Sequence, residues 1–420
     1  MTKRDARFEV VIETMAHGGS GLGHWRGKTV FVPFTIPGER VLVEPVREHD
    51  SYIIARGVQL LDASADRAYP ACPGYFSESC VRCGWQHIEY AAQLLLKQDV
   101  LADQLERIGK LRPASLRGAL ESTVPSPAQW GYLHHVTWLP GERDGQRTLG
   151  LPAREGRWPV ADRDCALIHP DLLALRAALD LDLENIWRVR LMRGSDGGLM
   201  IILSITQEEA PELALDMAAS VNLLLPDNEP MNLIGDTAAH YRIGERTLRV
   251  TAGGYVHPNA AMLTTLAETV RDFLQPRPAD RVLDLYAAGG IYSSAIAPHV
   301  AAVTLVESYP PSASDAVVNL TDFPHVEIIE GAVESVLPHL EGTFDATVVE
   351  PPSAGLSSEA IACIAASGVR RLAYVSDDPA TLARDARALT RYGFALRRVR
   401  AIDLMPQTSF VDSVALFEQI

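Results

Sequence analysis

The sequence predicts an α/β multidomain protein with a small N-terminal β-barrel, a central α+β segment and a C-terminal doubly wound, Rossmann-like domain. Three observations carry this prediction. The chain has 420 residues, too many for one ordinary domain. Residues 8–67 hold short strand-like runs separated by glycine turns. From Asn259 onward, short apolar runs alternate with helical stretches, the pattern of a buried parallel sheet. The expected units are 1–67, 68–240 and 241–420.

In the first unit Phe8 to Glu13 alternates with a period of two. Gly18, Gly19, Gly21 and Gly23 then read as a loop. Thr29 to Pro33, Glu39 to Glu44 and Ser51 to Leu61 are further strands, with Pro37-Gly38 as a turn. Short strands packed into so little sequence suit a closed barrel of the OB type.

In the second unit a helix is expected over Glu89–Gly109. Its buried face is read as Ala91, Leu94, Leu95, Gln98, Leu101, Ala102 and Leu105, and it is placed to pack on the C-terminal unit. Val189 to Met192 and Leu199 to Leu203 flank a glycine-rich turn and read as a hairpin. Pro211 to Leu225 reads as a helix. In the third unit Val282–Leu285, Val303–Val306, Ala346–Val349 and Leu372–Val375 are expected parallel strands.

A net charge of −15 excludes an overall basic nucleic-acid binder, though not a local basic patch. Arg188, Arg190 and Arg193 lie close in sequence, as do Arg397, Arg398 and Arg400; both groups read as solvated faces. No run approaches the roughly 18 apolar residues of a membrane span. The N-terminus lacks the apolar core of a signal peptide, so the expected location is cytoplasmic, with no membrane partner.

Four of the five cysteines form a pattern, Cys72-x7-Cys80-x2-Cys83 with Cys165 downstream. A cytosolic chain seldom uses cysteine for disulfides, so a metal or cluster site is expected. Soft thiolates suit zinc or an iron–sulfur centre, and spacing alone does not choose between them. Cys363, on the apolar stretch Ala360–Ala365, reads as core.

Several segments of the third unit carry chemistry. Asp284-Leu-Tyr-Ala-Ala-Gly-Gly-Ile-Tyr292 follows the first parallel strand, where glycine lets a ligand approach the backbone. Glu307 ends the second strand, and Glu350-Pro-Pro-Ser-Ala-Gly355 follows the third. Tyr255-Val-His-Pro-Asn259 precedes the sheet. Tyr374-Val-Ser-Asp-Asp-Pro-Ala-Thr-Leu-Ala-Arg-Asp385 follows the fourth strand, and Asp403-Leu-Met-Pro-Gln-Thr-Ser-Phe-Val-Asp-Ser-Val414 lies near the C-terminus.

Together these segments resemble the RNA uracil-5-methyltransferase family across nearly the whole chain. The glycine loop His17–Gly23, with Val30–Pro33 and Pro37–Glu39, is similar to an RNA-binding TRAM domain. The cysteines, with Arg67, Gln86-His87 and Asp164, resemble a segment that holds a [4Fe–4S] cluster in many members. The first spacing is seven residues here and five in the family pattern. The resemblance thus implies a cluster on Cys72, Cys80, Cys83 and Cys165, with zinc as the alternative. It also implies S-adenosyl-L-methionine contacts from His257, Asp284, Tyr286, Gly290, Glu307 and Glu350, the last two residue types being suited to accept hydrogen bonds.

The same likeness exposes substitutions. Asp377 stands where the family has the cysteine that attacks uracil carbon-6, and Asp412 stands for the glutamate base. His257 replaces a glutamine, Ala288 a glycine, Ser353 an arginine and Phe410 a histidine. Leu133-His134-His135 replaces an Arg-Asn-Lys run. A thiolate activates carbon-5 by covalent addition, a task to which a carboxylate is poorly suited. Its charge also opposes the enolate that would form. Asp412 is shorter than glutamate by one carbon, about 1.5 Å, and a displacement near 1 Å can cost about 100-fold. The expectation is a family member acting on tRNA or rRNA by descent. It would lack the cysteine chemistry and keep RNA binding and, as a further expectation, cofactor binding. The alternatives are an RNA methyltransferase with an altered target atom, using Asp377 and Asp412, and a non-catalytic scaffold for a protein partner.

Overall fold

The computed structural model describes residues 7–77, 80, 83–143, 145–152 and 165–420. Asp164 and the first six residues, both used above, lie outside the described residues.

Six strands make the first sheet, in the order Phe8–Val11, Arg40–Glu48, Tyr52–Asp62, Lys28–Val32, Gly21–Trp25, Thr14–Met15. The two outer strands of this order are neighbours in the chain, and the Glu13 N–H donates to the Leu22 carbonyl. The sheet therefore curls around Val10, Ile12, Val30, Val32, Val43 and Ile53. Gly21 and Gly23, expected in a loop, instead lie on a strand. A Cβ on Gly23 would sit 2.2 Å from the Val11 carbonyl oxygen, so this glycine marks close backbone approach and not a turn.

The expected helix is present as Tyr90–Arg107, but its buried face is rotated. Ala92, Gln93, Leu96, Lys97, Val100, Leu101, Gln104 and Leu105 are buried, while Leu95 is 66% exposed. Polar residues occupy the inner face because partners await them: Gln93 Nε2 donates to Gln407 Oε1, and Lys97 Nζ to Asp403 Oδ1. Apolar pattern alone could not reveal that. The apolar residues of this helix share one core with Leu372, Leu382, Ala386 and Leu389 of the C-terminal region.

The hairpin is found as Ile186–Arg193 and Leu199–Ile205. It belongs to a six-stranded sheet in the order Pro230–Ile234, Ser220–Leu224, Leu199–Ile205, Ile186–Arg193, His135–Arg143, Gln146–Gly150. The helix read over Pro211–Leu225 is corrected to two strands, Leu213–Leu215 and Ser220–Leu224. Ser220–Leu224 is buried throughout and pairs in parallel with Leu199–Ile205, and so short an apolar run does not reveal its period.

The C-terminal sheet has eight strands, ordered Val326–Glu330, Ala302–Glu307, Arg281–Leu285, Ala346–Val349, Arg371–Ser376, Asp412–Gln419, Phe394–Ile402, Leu120–Val124. All four expected strands lie in its parallel part. Asp412–Gln419 then runs antiparallel to Arg371–Ser376. Leu120–Val124, from the segment assigned to the central unit, completes the far edge beside Phe394–Ile402. The parallel strands end together, and their carboxyl ends carry Asp284, Glu307, Glu350 and Asp377. The order turns outward from Arg281–Leu285 in both directions, which makes a switch point at that edge.

Candidate active site

The loop after Arg281–Leu285 is held from beneath by Asp284. This buried carboxylate accepts hydrogen bonds from the Ser293 N–H at 3.0 Å and the Ser293 hydroxyl at 2.6 Å. Burial pushes it up to about 7, against the opposing pull of the Ser293 bonds. The loop is tightly wound: Tyr286 and Ala288 both have positive φ, 59° and 47°. Ala288 thus takes a left-handed conformation in a position where the family pattern has glycine. Gly290, φ 81°, precedes the helix Ile291–Ile296, and a Cβ there would meet Leu320 Cδ1 at 2.9 Å.

Glu307 clamps the same loop from the neighbouring strand. Its Oε2 accepts from the Ala288 N–H at 2.7 Å and its Oε1 from the Tyr309 N–H at 2.6 Å. The Tyr286 hydroxyl donates to Glu334 Oε1 at 2.6 Å. Asp284, Tyr286, Gly290 and Glu307 therefore form one contiguous frame, built mostly from side chains satisfying backbone donors.

A second group gathers beside it. His257 is buried, and its Nε2 lies 2.6 Å from Glu350 Oε1. The Tyr292 hydroxyl donates to Glu350 Oε2 at 3.0 Å, and the Tyr255 hydroxyl lies 3.3 Å from His257 Nδ1. Burial acts to lower the His257 pKa, but Glu350, with Asp412 and Asp377, holds it above its ordinary value and so favours the imidazolium.

A cavity of about 430 Å³ opens onto this group, lined by His17, Tyr255, His257, Ser353, Asp377, Asp378 and Asp412 among others. No cysteine lines it among the described residues. Asp377 is exposed at its mouth and accepts a hydrogen bond from the Ser353 hydroxyl at 2.6 Å. Asp412 is buried and its Oδ2 has no hydrogen-bond partner. Burial pushes Asp412 up to about 7; His257 and Lys97 oppose this, and Asp377 and Asp403 add to it.

Asp378 has a different task. It caps the helix Pro379–Arg391, accepting from the Thr381 N–H at 2.7 Å, and its other oxygen lies 3.2 Å from His17 Nε2. Of the strand-end acids Asp284, Glu307, Glu350, Asp377 and Asp378, only Asp377 and Asp378 line the cavity; Asp284 and Glu307 hold the loop, and Glu350 pairs with His257.

Several cavity residues were not placed at this site by the sequence. His17 and Gly18 come from the turn between the first-sheet strands Thr14–Met15 and Gly21–Trp25, where the Gly19 carbonyl accepts from Trp85 Nε1 at 3.2 Å. A Cβ on Gly19, φ 87°, would meet Ser409 Cβ at 2.5 Å, so only glycine lets this loop seat against the wall. Met405 to Val411 make that wall. Lys97, Gln93 and Tyr132 hold it: Lys97 Nζ also donates to the Met405 carbonyl, Gln93 Oε1 accepts from the Gln407 N–H, and Tyr132 donates to the Pro406 carbonyl. His135, in the altered central motif, reaches the Val256 carbonyl at 2.8 Å and so supports Tyr255 and His257.

The two arginine groups do not make a free basic patch. Arg193 pairs with Asp171, Arg397 with Glu418, and Arg398 and Arg400 with Glu121. Arg190 is buried deeply enough that its pKa falls. Arg188 lies over the half-exposed Trp187 ring.

The four patterned cysteines are brought near one another. Cys83 is pushed up to about 12, first by burial and then by Cys80, Cys165 and Cys72. Gln86 ties two of their segments together, accepting from the Cys72 N–H at 2.9 Å and donating to Cys83 Sγ at 2.9 Å. Among the described residues no three His, Cys, Asp or Glu side chains are arranged to hold a metal ion. Residues 78–79, 81–82 and 153–164, which adjoin these cysteines, lie outside the described set. Cys363 packs against the C-terminal core, as expected. No described helix is long and apolar enough to cross a membrane.

No protein-family model matches the chain. It is 33% identical to an uncharacterized RNA methyltransferase of Streptomyces avermitilis, over 98% of both chains. It is 30% identical to the 23S rRNA (uracil(1939)-C(5))-methyltransferase RlmD of Pseudomonas aeruginosa, over 97% of this chain and 93% of that one. Its fold matches that of the Pyrococcus abyssi tRNA (uracil-54, C5)-methyltransferase in complex with S-adenosyl-L-homocysteine, with a TM-score of 0.72, 19% identity, and coverage of 98% of this chain and 100% of that chain. With 30% identity or more maintained over nearly its full length, the chain belongs to the RNA uracil-5-methyltransferase family.

Proposed function

We propose that this chain binds RNA and S-adenosyl-L-methionine but does not methylate uracil carbon-5 by the thiolate route. The observation that supports this most is the cavity lip. There Asp377, not a thiol, follows the strand Arg371–Ser376, hydrogen-bonded to Ser353 and close enough to Asp412 to raise its pKa. A pair of carboxylates disfavours the anionic ring that thiolate addition generates. The frame around Asp284 and Gly290 is kept, which supports continued cofactor binding. Glu307 is held still by two backbone donors, and its Oε2, bonded only to the Ala288 N–H, keeps a lone pair for a ribose hydroxyl.

In this reading the N-terminal sheet, the central cysteine-bearing segment and the C-terminal sheet act as three units, the first carrying the TRAM-like RNA contact. Cys72, Cys80, Cys83 and Cys165 hold a [4Fe–4S] cluster, with zinc as the alternative. The donor chemistry supports this: four soft thiols share one neighbourhood, though among the described residues no three of them are set to hold a metal ion, and the rise of the Cys83 pKa is what a compensating cationic centre would reverse. Such a centre supplies charge and a cross-link between the segments around residues 72–83 and 165.

The test is a methyl-transfer assay on uridine-containing tRNA and rRNA, with cofactor titration by calorimetry and iron and sulfide analysis of anaerobically purified protein. The expected result is cofactor binding and iron without 5-methyluridine. Product at carbon-5 that disappears in Asp377→Ala would refute the proposal.

A further inference from the structure

We propose that Trp187, Arg188 and Arg190 form a track for single-stranded RNA, in which each guanidinium holds a backbone phosphate and the indole stacks a base, beside the nucleotide that enters the cavity. This rests on the reading that the chain binds RNA and that a base leaves its stack to reach the cavity.

The strand Ile186–Arg193 is irregular at its start. Ile186 pairs with Ile205 and Arg188 with Ser204, so Trp187 is an extra residue, a β-bulge. A bulge re-aims side chains, and here it sets Trp187 beside Arg188: the guanidinium carbon lies 4.5 Å from the centre of the indole. Val189 and Leu191 face the core of the central sheet, so Arg190 points the other way, on the side of Arg188. Two positions along a strand span about 6.6–6.8 Å, a step comparable to that between neighbouring phosphates of an extended nucleic-acid strand. Arg190 Nη1 reaches the Gly254 carbonyl at 3.4 Å. Gly254 precedes Tyr255, which is 48% exposed and lines the cavity. The row Trp187, Arg188, Arg190, Tyr255 thus leads from the surface to the cavity.

Charge sets these two arginines apart. The chain carries a net −15, and Arg193, Arg397, Arg398 and Arg400 are each neutralised by a carboxylate. Among the described residues Arg188 and Arg190 have no carboxylate partner. Arg188 Nε donates to the Ser204 hydroxyl at 3.2 Å, and Arg190 has only the Gly254 carbonyl. Both are partly withdrawn from water yet still reach the surface, and burial lowers the pKa of each. Two such guanidiniums side by side repel one another, and an oxyanion laid across them relieves both. A lone carboxylate would occupy one fork and leave the other cation and the ring unused. A single RNA strand uses all three groups: two phosphates for the guanidiniums and a base for Trp187, whose ring is 46% exposed. Two cations are too few for a basic patch, but they lie where the strand must pass to place a base by Tyr255.

The experiment uses the full-length protein and a labelled, short single-stranded oligouridine. Fluorescence anisotropy is read at several salt concentrations, with S-adenosyl-L-homocysteine titrated separately by calorimetry. Arg188→Gln and Arg190→Gln should each flatten the slope of log affinity against log salt by about 0.7, the share of one phosphate contact on a single strand. Trp187→Ala should weaken RNA binding about tenfold, the size of one stacked base, and leave the slope as it was. Arg397→Gln, at an arginine already paired with Glu418, should match the parent in both. Arg188→Gln and Trp187→Ala alter partly exposed side chains and are safe for folding, so they decide the matter even where Arg190→Gln does not fold. An unchanged slope in Arg188→Gln, an unchanged affinity in Trp187→Ala, or equal flattening in Arg397→Gln overturns this inference and leaves RNA binding standing. Loss of S-adenosyl-L-homocysteine binding in the arginine variants with RNA binding intact assigns the guanidiniums to the cofactor and also overturns it. Failure of the parent protein to bind the RNA overturns the RNA reading and this inference together.

Discussion

Asp284 and Asp412 are both buried aspartates pushed up to about 7, yet they sit in opposite circumstances. Asp284 is anchored by Ser293 and holds a loop in which Gly290 keeps a glycine of the family pattern. Asp412 leaves an oxygen unpaired at a cavity where His257, Ser353, Asp377 and Phe410 all depart from that pattern. A shifted carboxyl is therefore not by itself a sign of function. Each leaves one oxygen unpaired and closed to solvent, so what distinguishes the two is the other company they keep: Ser293 and the loop for Asp284, the cavity wall for Asp412.

The wall behind Asp412 offers the strongest test of this contrast. Lys97 and Asp403 are a fully buried pair at 2.6 Å, 1% and 0% exposed at their side chains. Lys97→Met should destabilise the fold by about 3–5 kcal/mol, because Asp403 is left charged without its partner. Urea unfolding measures this, and a loss under 1 kcal/mol would mean the wall is not held as described.

Protonation gives the next effect. The folded-state pKa of Asp412 lies above its ordinary 3.8, so between about pH 4 and pH 7 the folded protein keeps a proton that the unfolded chain releases. Stability from this group is present at the acid end of that window and lost as pH rises through about 7. Asp412→Asn cannot ionise. It should be more stable than the parent at about pH 8, by on the order of 2–4 kcal/mol, with the gap closing toward about pH 4. A gap that does not change with pH would place the carboxyl in water.

On the other side of the comparison, Asp284→Ala should cost about 1–3 kcal/mol, since the Ser293 N–H and hydroxyl lose their acceptor. It should also weaken S-adenosyl-L-homocysteine binding in calorimetry, whereas Asp412→Ala should leave that binding close to the parent's. The smallest effect is expected at Ala288. Relieving φ 47° by Ala288→Gly should raise stability by up to about 1 kcal/mol, read as a higher melting temperature.

The chain's own pattern was enough for the parallel strands of the C-terminal sheet and for the hairpin at Ile186–Ile205, because continuous apolar runs bounded by turn residues have few other solutions. The family resemblance, not the chain's own pattern, singled out Asp377 and Asp412, as departures against intact neighbours. The local pattern misjudged the inner face of Tyr90–Arg107 and the strands at Leu213–Leu224. In the first case buried polar side chains depend on partners about 300 residues away, such as Asp403 and Gln407; in the second, strand pairing outweighed an ambiguous local pattern.

The sequence by itself determined the residue types of the candidate site and their order, since side-chain chemistry is local. Only the tertiary structure decided their tasks. It turned Asp378 into a helix cap, gave Glu350 to His257, and brought His17 from the first sheet to the cavity rim. A carboxylate's role is set by what surrounds its two oxygens, and those surroundings come from segments that meet only when the chain is folded.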